Sequence, residues 1–296
     1  MKLLDALSLL LLASLWGGSF LFMRIASPVL GPVWLIELRV VLTAILLFPL
    51  VLKLGLWPEI RKHWQSMLLV GGLGSAAPFT LIAFASLSLP AGFTSILNAT
   101  TPLFGAIVAA VWLKERLTRS QIVGLGLGFV GVVILVGLRV TVGAAFLMAV
   151  GAGLLASLMY AISTPYASKK LAGVQPLANA AGSQLGAAVW LIPALPFTVP
   201  TQRPSPTVIA SVIGLAALST ALAYILFFRL LQNIGSTRVL TVTYLIPVFA
   251  IAWGALLLDE TITASMLGGG ALVLLSVAIA NGLFQQISQQ SISKEP

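Results

Sequence analysis

The 296-residue chain contains no cysteine. Disulfides, thiolate metal sites and cysteine nucleophiles are therefore excluded. Its one histidine, His63, falls in a polar connector, which excludes a histidine-built metal site within one chain. Charge is scarce as well: Asp, Glu, Lys and Arg make up 8% of residues, against about 25% in a soluble domain. Only seven residues are acidic. Enzymatic chemistry inside an apolar segment needs a nucleophile, a metal set or a carboxylate pair, and none is grouped there. The sequence predicts no catalytic residue, no metal and no cofactor.

What is abundant is apolar. Hydrophobic residues make up 59% of the chain, and mean hydropathy is +1.09. Apolar stretches of membrane-spanning length recur throughout, which predicts an all-α polytopic membrane protein. Ten spans are expected, at 4–26, 32–54, 65–87, 91–113, 120–138, 143–168, 176–199, 207–232, 236–258 and 264–284. Net charge is +9, carried in short connectors. One side of the bundle takes Lys2, Lys53, Arg61, Lys62, Lys114, Arg116, Arg119, Lys169, Lys170, Arg229, Arg238 and Lys294. The other takes Arg24, Arg139 and Arg203. That asymmetry places both termini in the cytoplasm, for a multi-pass protein of the cell (inner) membrane. The basic balance is thus a topology signal and not a nucleic-acid footprint. Trp57, Trp64 and Trp112 fall at the predicted cytoplasmic interface. The opening Met1-Lys2-Leu3-Leu4 has a signal-peptide character without a cleavage site, so the first span is expected to remain.

The chain also repeats itself. Leu11-Leu12-Ala13-Ser14-Leu15-Trp16 returns as Leu154-Leu155-Ala156-Ser157-Leu158-Met159. Pro102-Leu103-Phe104 returns as Pro247-Val248-Phe249, and Glu115-Arg116-Leu117-Thr118 as Glu260-Thr261-Ile262-Thr263. Two units are expected, 1–138 and 143–284, followed by a polar cytoplasmic tail, 285–296. Five spans per unit is an odd number, so the second unit lies inverted in the bilayer. Such 5+5 inverted repeats around a central cavity underlie alternating-access transport. Divergence between the halves is visible where Arg229 and Arg238 flank a connector whose first-half equivalent has no charge.

These residues resemble the EamA-type, ten-span members of the drug/metabolite transporter superfamily. The carrying motifs are Leu15-Trp16-Gly17-Gly18-Ser19-Phe20 with Arg24, then Arg39, Ala91-Gly92 and Pro102-Leu103-Phe104. Glu115-Arg116-Leu117-Thr118, Gln121 and Gly124 follow, with Pro247, Glu260, Thr263 and Gly269 as the second-half echo. The resemblance covers nearly the whole chain. It implies a basket of ten helices with spans one, three, four, six, eight and nine around a cavity. It also implies movement of small metabolites, often amino acids, usually outward.

Candidate site residues fall in those spans. Thr94, Asn98 and Thr101 share one face of span four, and Pro102 removes a backbone donor beside them. The repeat sets Thr243 opposite Asn98. Such a stripe serves a midplane substrate site or interhelical hydrogen bonding. Trp16, Phe79, Tyr160, Tyr224 and Tyr244 would line the cavity and suit amphipathic or cationic solutes, or else fill the core. Glu37 and Arg39 are charges inside span two. Glu37 reads as a proton-coupling carboxylate or as the partner of Arg24; Arg39 reads as bonded to loop carbonyls or capping a helix. Pro78 and Pro165 would bend spans three and six. Glu115 and Glu260 read as structural, each next to a helix start with a threonine cap. Gly124-x-x-x-Gly128 and Gly268-Gly269-Gly270 permit close approach within one chain or between two, so a monomer and a homodimer both fit.

The expected function is a secondary transporter, exporting small metabolites by alternating access through a lipid-embedded bundle. Uptake or exchange on the same fold is the alternative. A membrane-embedded enzyme or a structural membrane protein ranks below both.

Overall fold

A computed structural model describes residues 3–112, 114–137 and 143–282. Lys2, Arg139, Lys294 and the tail 285–296 lie outside the described residues. Among the described residues every regular element is helical. Eight helices are long and apolar enough to cross a membrane: α1 Leu3–Leu30, α2 Pro32–Lys53, α3 Trp64–Ala85, α4 Ala91–Trp112, α5 Arg119–Val136, α6 Ala144–Lys170, α7 Pro176–Phe197 and α8 Pro206–Ile234. Two shorter apolar helices follow, α9 Val242–Leu258 and α10 Ala264–Ala280. Short helices at Trp57–Lys62 and Ser236–Val239 join neighbours. Trp57, Trp64 and Trp112 are exposed at helix ends.

Four helices depart from regular α geometry, each where local chemistry asks for it. Pro102 has no N–H, so the Asn98 carbonyl loses its usual partner and α4 breaks between Asn98 and Thr101. The freed carbonyl accepts from Thr101 Oγ1 at 2.7 Å and Ser157 Oγ at 3.4 Å. Pro78 lacks a donor in the same way, and α3 widens into a π segment, Gly72–Ala76, just before it. A second π segment, Ala217–Leu222, interrupts α8 without a proline. There Thr220 Oγ1 donates to the Leu215 carbonyl at 2.7 Å, bridging the widened turn. Pro193 and Pro196 turn the end of α7 into a 3₁₀ segment, Ile192–Phe197. Span nine, expected at 236–258, is split at Leu240 and Thr241. The Thr241 hydroxyl takes the Arg238 carbonyl at 2.6 Å, a local bond that competes with the helix ladder.

The glycine motifs lie inside this chain's own bundle. α5 packs chiefly on α10. A Cβ added at Gly124 would stand 2.8 Å from the Ser276 carbonyl, and one at Gly269 2.7 Å from the Leu135 amide. Only residues without a side chain let these backbones approach so closely. The Gly124 and Gly269 faces are therefore used within one protomer.

Candidate functional site

Between α1, α2, α3, α4, α6, α8 and α9 lies a cavity of about 840 Å³. Its two ends differ. At one end it stops against Phe20, Met23 and Ile82, all buried. At the other it runs past Ala109, Thr164, Ser168 and Leu240, of which the last three are exposed. The second end is the one where α4 and α6 terminate and α9 begins.

Trp16, Phe79, Asn98, Thr101, Tyr160, Tyr224 and Thr243 all line this space, together with Arg39. Thr94, Tyr244 and Glu37 do not. Thr94 is fully buried and donates to the Pro90 carbonyl at 3.0 Å. The Tyr244 hydroxyl accepts from Nδ2 of Asn281, the residue that ends α10, at 3.0 Å. Glu37 is buried, and its Oε2 has no partner among the described residues.

Arg39 is the charged residue of the cavity wall. It is 5% exposed, its guanidinium carbon lies 3.6 Å from the Phe79 ring centroid, and its Nε donates to Thr220 Oγ1 at 3.0 Å. The expected bonding to loop carbonyls or a helix cap is replaced by a side-chain hydroxyl and a ring face. Phe79 meets Tyr160 edge-on, with centroids 6.2 Å apart. Gln184 Nε2 donates to both Ser75 Oγ and Tyr224 Oη at 3.3 Å. Trp16 packs on Phe227 at 5.5 Å. Asn98 Oδ1 and the Ser95 and Ser219 hydroxyls, on lining residues, are buried without hydrogen-bond partners among the described residues.

Two features escaped the sequence reading. Thr220, which orients Arg39, is the repeat equivalent of Ser75, and each lies in a run of small residues that becomes a π segment. The shared offset was the available signal. The other is the clamp at the closed end. Of the two readings of Glu37, the pairing with Arg24 does not form: the Arg24 Nε pairs with Glu260 Oε1 at 3.5 Å. Its Nη1 donates to the carbonyls of Ser86 at 2.7 Å and Leu87 at 3.0 Å. The Glu260 carboxylate also accepts the Ala91 N–H, 2.9 Å from Oε2, at the start of α4. Burial pushes the Glu260 carboxyl above the ordinary carboxylate range, while the Ala91 N–H and Arg24 pull it back down. Thr263 still caps α10, accepting from the Met266 N–H, as Thr118 caps α5 with Gln121.

Comparison with known proteins gives consistent results. A family model, the EamA-like transporter family, matches residues 4–137 and again residues 147–282. A transporter of Archaeoglobus fulgidus with no assigned function is 24% identical, covering 92% of this chain and 96% of its own. A "probable amino-acid metabolite efflux pump" of Salmonella typhimurium is 27% identical, covering 93% and 94%. A "probable terminal-alkyne amino-acid exporter" of Streptantibioticus cattleyicolor is 26% identical, covering 95% of both. A solved crystal structure superposes with a TM-score of 0.67 at 18% identity, over 97% of this chain and 99% of that one, and so shares the fold.

Proposed function

The chain belongs to the EamA-like transporter family and is a multi-pass membrane transporter, and from this we propose that it exports small amino-acid-like metabolites by alternating access. The observation that carries the proposal is the unequal cavity: buried at Phe20, Met23 and Ile82, exposed at Thr164, Ser168 and Leu240. In the proposed topology α9 and α10 also span the membrane, completing ten spans in two inverted units, 1–138 and 143–284. At 17 residues each is about 26 Å long, within reach of a hydrocarbon core about 30 Å thick. With both termini cytoplasmic, the exposed end faces the cytoplasm, so the state described is inward-open. A cytosolic solute enters there, and export follows when the halves rock to the other state. Trp16, Phe79, Asn98, Thr101, Tyr160, Tyr224 and Thr243 are the proposed substrate contacts. Glu37 and Arg39 split: Arg39 is in the cavity wall, and Glu37, two positions earlier on α2, is buried outside the cavity lining.

The test is counterflow of labelled L-amino acids in liposomes containing the purified protein. Accumulation in native vesicles, and its loss in correctly folded Asn98→Leu vesicles, is the expected outcome. Native vesicles that accumulate no solute beyond empty ones would refute the carrier reading. A response to voltage or proton gradients separates export from exchange.

A further inference from the structure

The cavity wall carries one formal charge among the described residues, and it is positive. Arg39 has no carboxylate partner there; among the described residues the ion pair is Arg24–Glu260. A guanidinium has five N–H donors, and one nitrogen, Nε, has a protein acceptor. Holding a cation out of water without a counter-ion is costly unless something in the cavity meets it. The Phe79 face below and Thr220 at Nε fix the guanidinium plane, which leaves its terminal nitrogens as a prepared fork. Tyr224 accepts from Gln184, so its own O–H proton remains free to donate.

We propose that Arg39 is the carboxylate anchor of the transport site and selects monocarboxylates with an apolar body. This rests on the carrier reading above and names its substrate class. One cation with hydroxyl donors matches one negative charge; a phosphate dianion would call for a second cation. The body of the solute lies along Trp16, Phe20 and Met23, and its amine donates to Asn98 Oδ1, the buried acceptor without a partner. Apolar α-amino acids combine these three features. Organic cations, which aromatic walls alone would suit, meet like charge at Arg39.

The test uses the full chain in detergent and measures the shift of its unfolding midpoint with L-leucine and L-phenylalanine. The matched amines, isopentylamine and phenethylamine, and the matched methyl esters are the comparison set. The amino acids are expected to raise the midpoint in a saturable manner, and the amines and esters are expected not to. In Arg39→Gln the affinity for the acids falls roughly ten- to hundredfold, and Arg39→Lys recovers part of it. A purely structural Arg39 would lower the midpoint without ligand and leave the ligand-induced shift intact. Should Arg39→Gln not fold, the acid, amine and ester series on the native chain decides alone. Equal shifts by acids and amines, or no shift by either amino acid, overturns the proposal. Acids that bind an Arg39-dependent site but show no counterflow would remove the carrier reading and leave the anchor standing.

Discussion

Glu260 gathers contacts from parts of the chain far apart in sequence. It accepts the Ala91 N–H, pairs with Arg24 and packs against Gly254, where an added Cβ would displace the carboxylate. Replacing it by alanine removes a cap and an ion pair together. A lost helix cap costs about 0.5–2 kcal/mol, and a partly exposed, 3.5 Å pair adds little. Glu260→Ala is therefore expected to lower stability by about 1–2 kcal/mol, and Arg24→Gln by less, read as unfolding midpoints in detergent. Thr220→Val keeps volume but strips Arg39 of its Nε acceptor, and a cost of about 1–3 kcal/mol is expected. The sequence marked all of these charges as notable, since ionisable groups in apolar stretches stand out. It did not pair them. Arg24 and Glu37 are 13 positions apart, and span ends bring them near in principle, whereas Glu260 comes from the second unit and meets Arg24 only through tertiary packing. Thr94 shares a helix face with Asn98, yet its hydroxyl donates to the Pro90 carbonyl in its own helix and it lies outside the cavity lining.

Helices were legible from hydropathy because every buried apolar stretch here is long; their interruptions were legible only where proline marked them. The break in α4 follows Pro102, but nothing in Ala217–Leu222 distinguishes a π turn from an α turn except the matching position of Gly72–Ala76 one repeat earlier. If the α4 break shapes the cavity, restoring the donor should close it. Pro102→Ala returns an N–H to the Asn98 carbonyl, and a more continuous helix carries Asn98 and Thr101 to new positions. Stability unchanged or raised, with a reduced counterflow rate, is the expected pair of readings; an unaltered rate would separate the break from function. The α5–α10 contact makes a different demand. Gly269 lies against the backbone of Leu135 and Gly131, which cannot yield as a flexible side chain can. Gly269→Leu is expected to cost about 3 kcal/mol or somewhat less by overpacking, visible as a lowered midpoint with the cavity ligands still bound in the surviving fraction.

At the scale of the molecule, the two segments that match the family carry the same device in different conditions. Glu115 and Glu260 are equivalents, and so are the backbone bonds of their amides, to Ala109 and Gly254, at 3.2 Å and 3.1 Å. Each follows a residue with positive φ, Lys114 at 56° and Asp259 at 53°. Yet the Glu260 side chain is engaged at the closed end, while Glu115 is exposed and its side chain has no bond among the described residues. A repeat predicts the same acid in both halves but not which one is engaged; under the proposed alternating-access reading, the structure holds one of two states. In an alternating-access carrier the engaged acid stabilises the present state, and removing it tips the population towards the other. The chain has no cysteine, so single cysteines report accessibility directly. Ser168→Cys, at the open end, is expected to react quickly with a membrane-impermeant maleimide added from the cytoplasmic side. Met23→Cys, at the closed end, is expected to resist reagent from outside. Adding Glu260→Gln should raise the labelling of Met23→Cys about tenfold, the population equivalent of about 1.4 kcal/mol, and slow that of Ser168→Cys. Glu115→Gln should do neither, since its carboxylate engages none of the described residues. If Glu260→Gln speeds labelling at both ends together, the clamp supports the fold and not the choice between states.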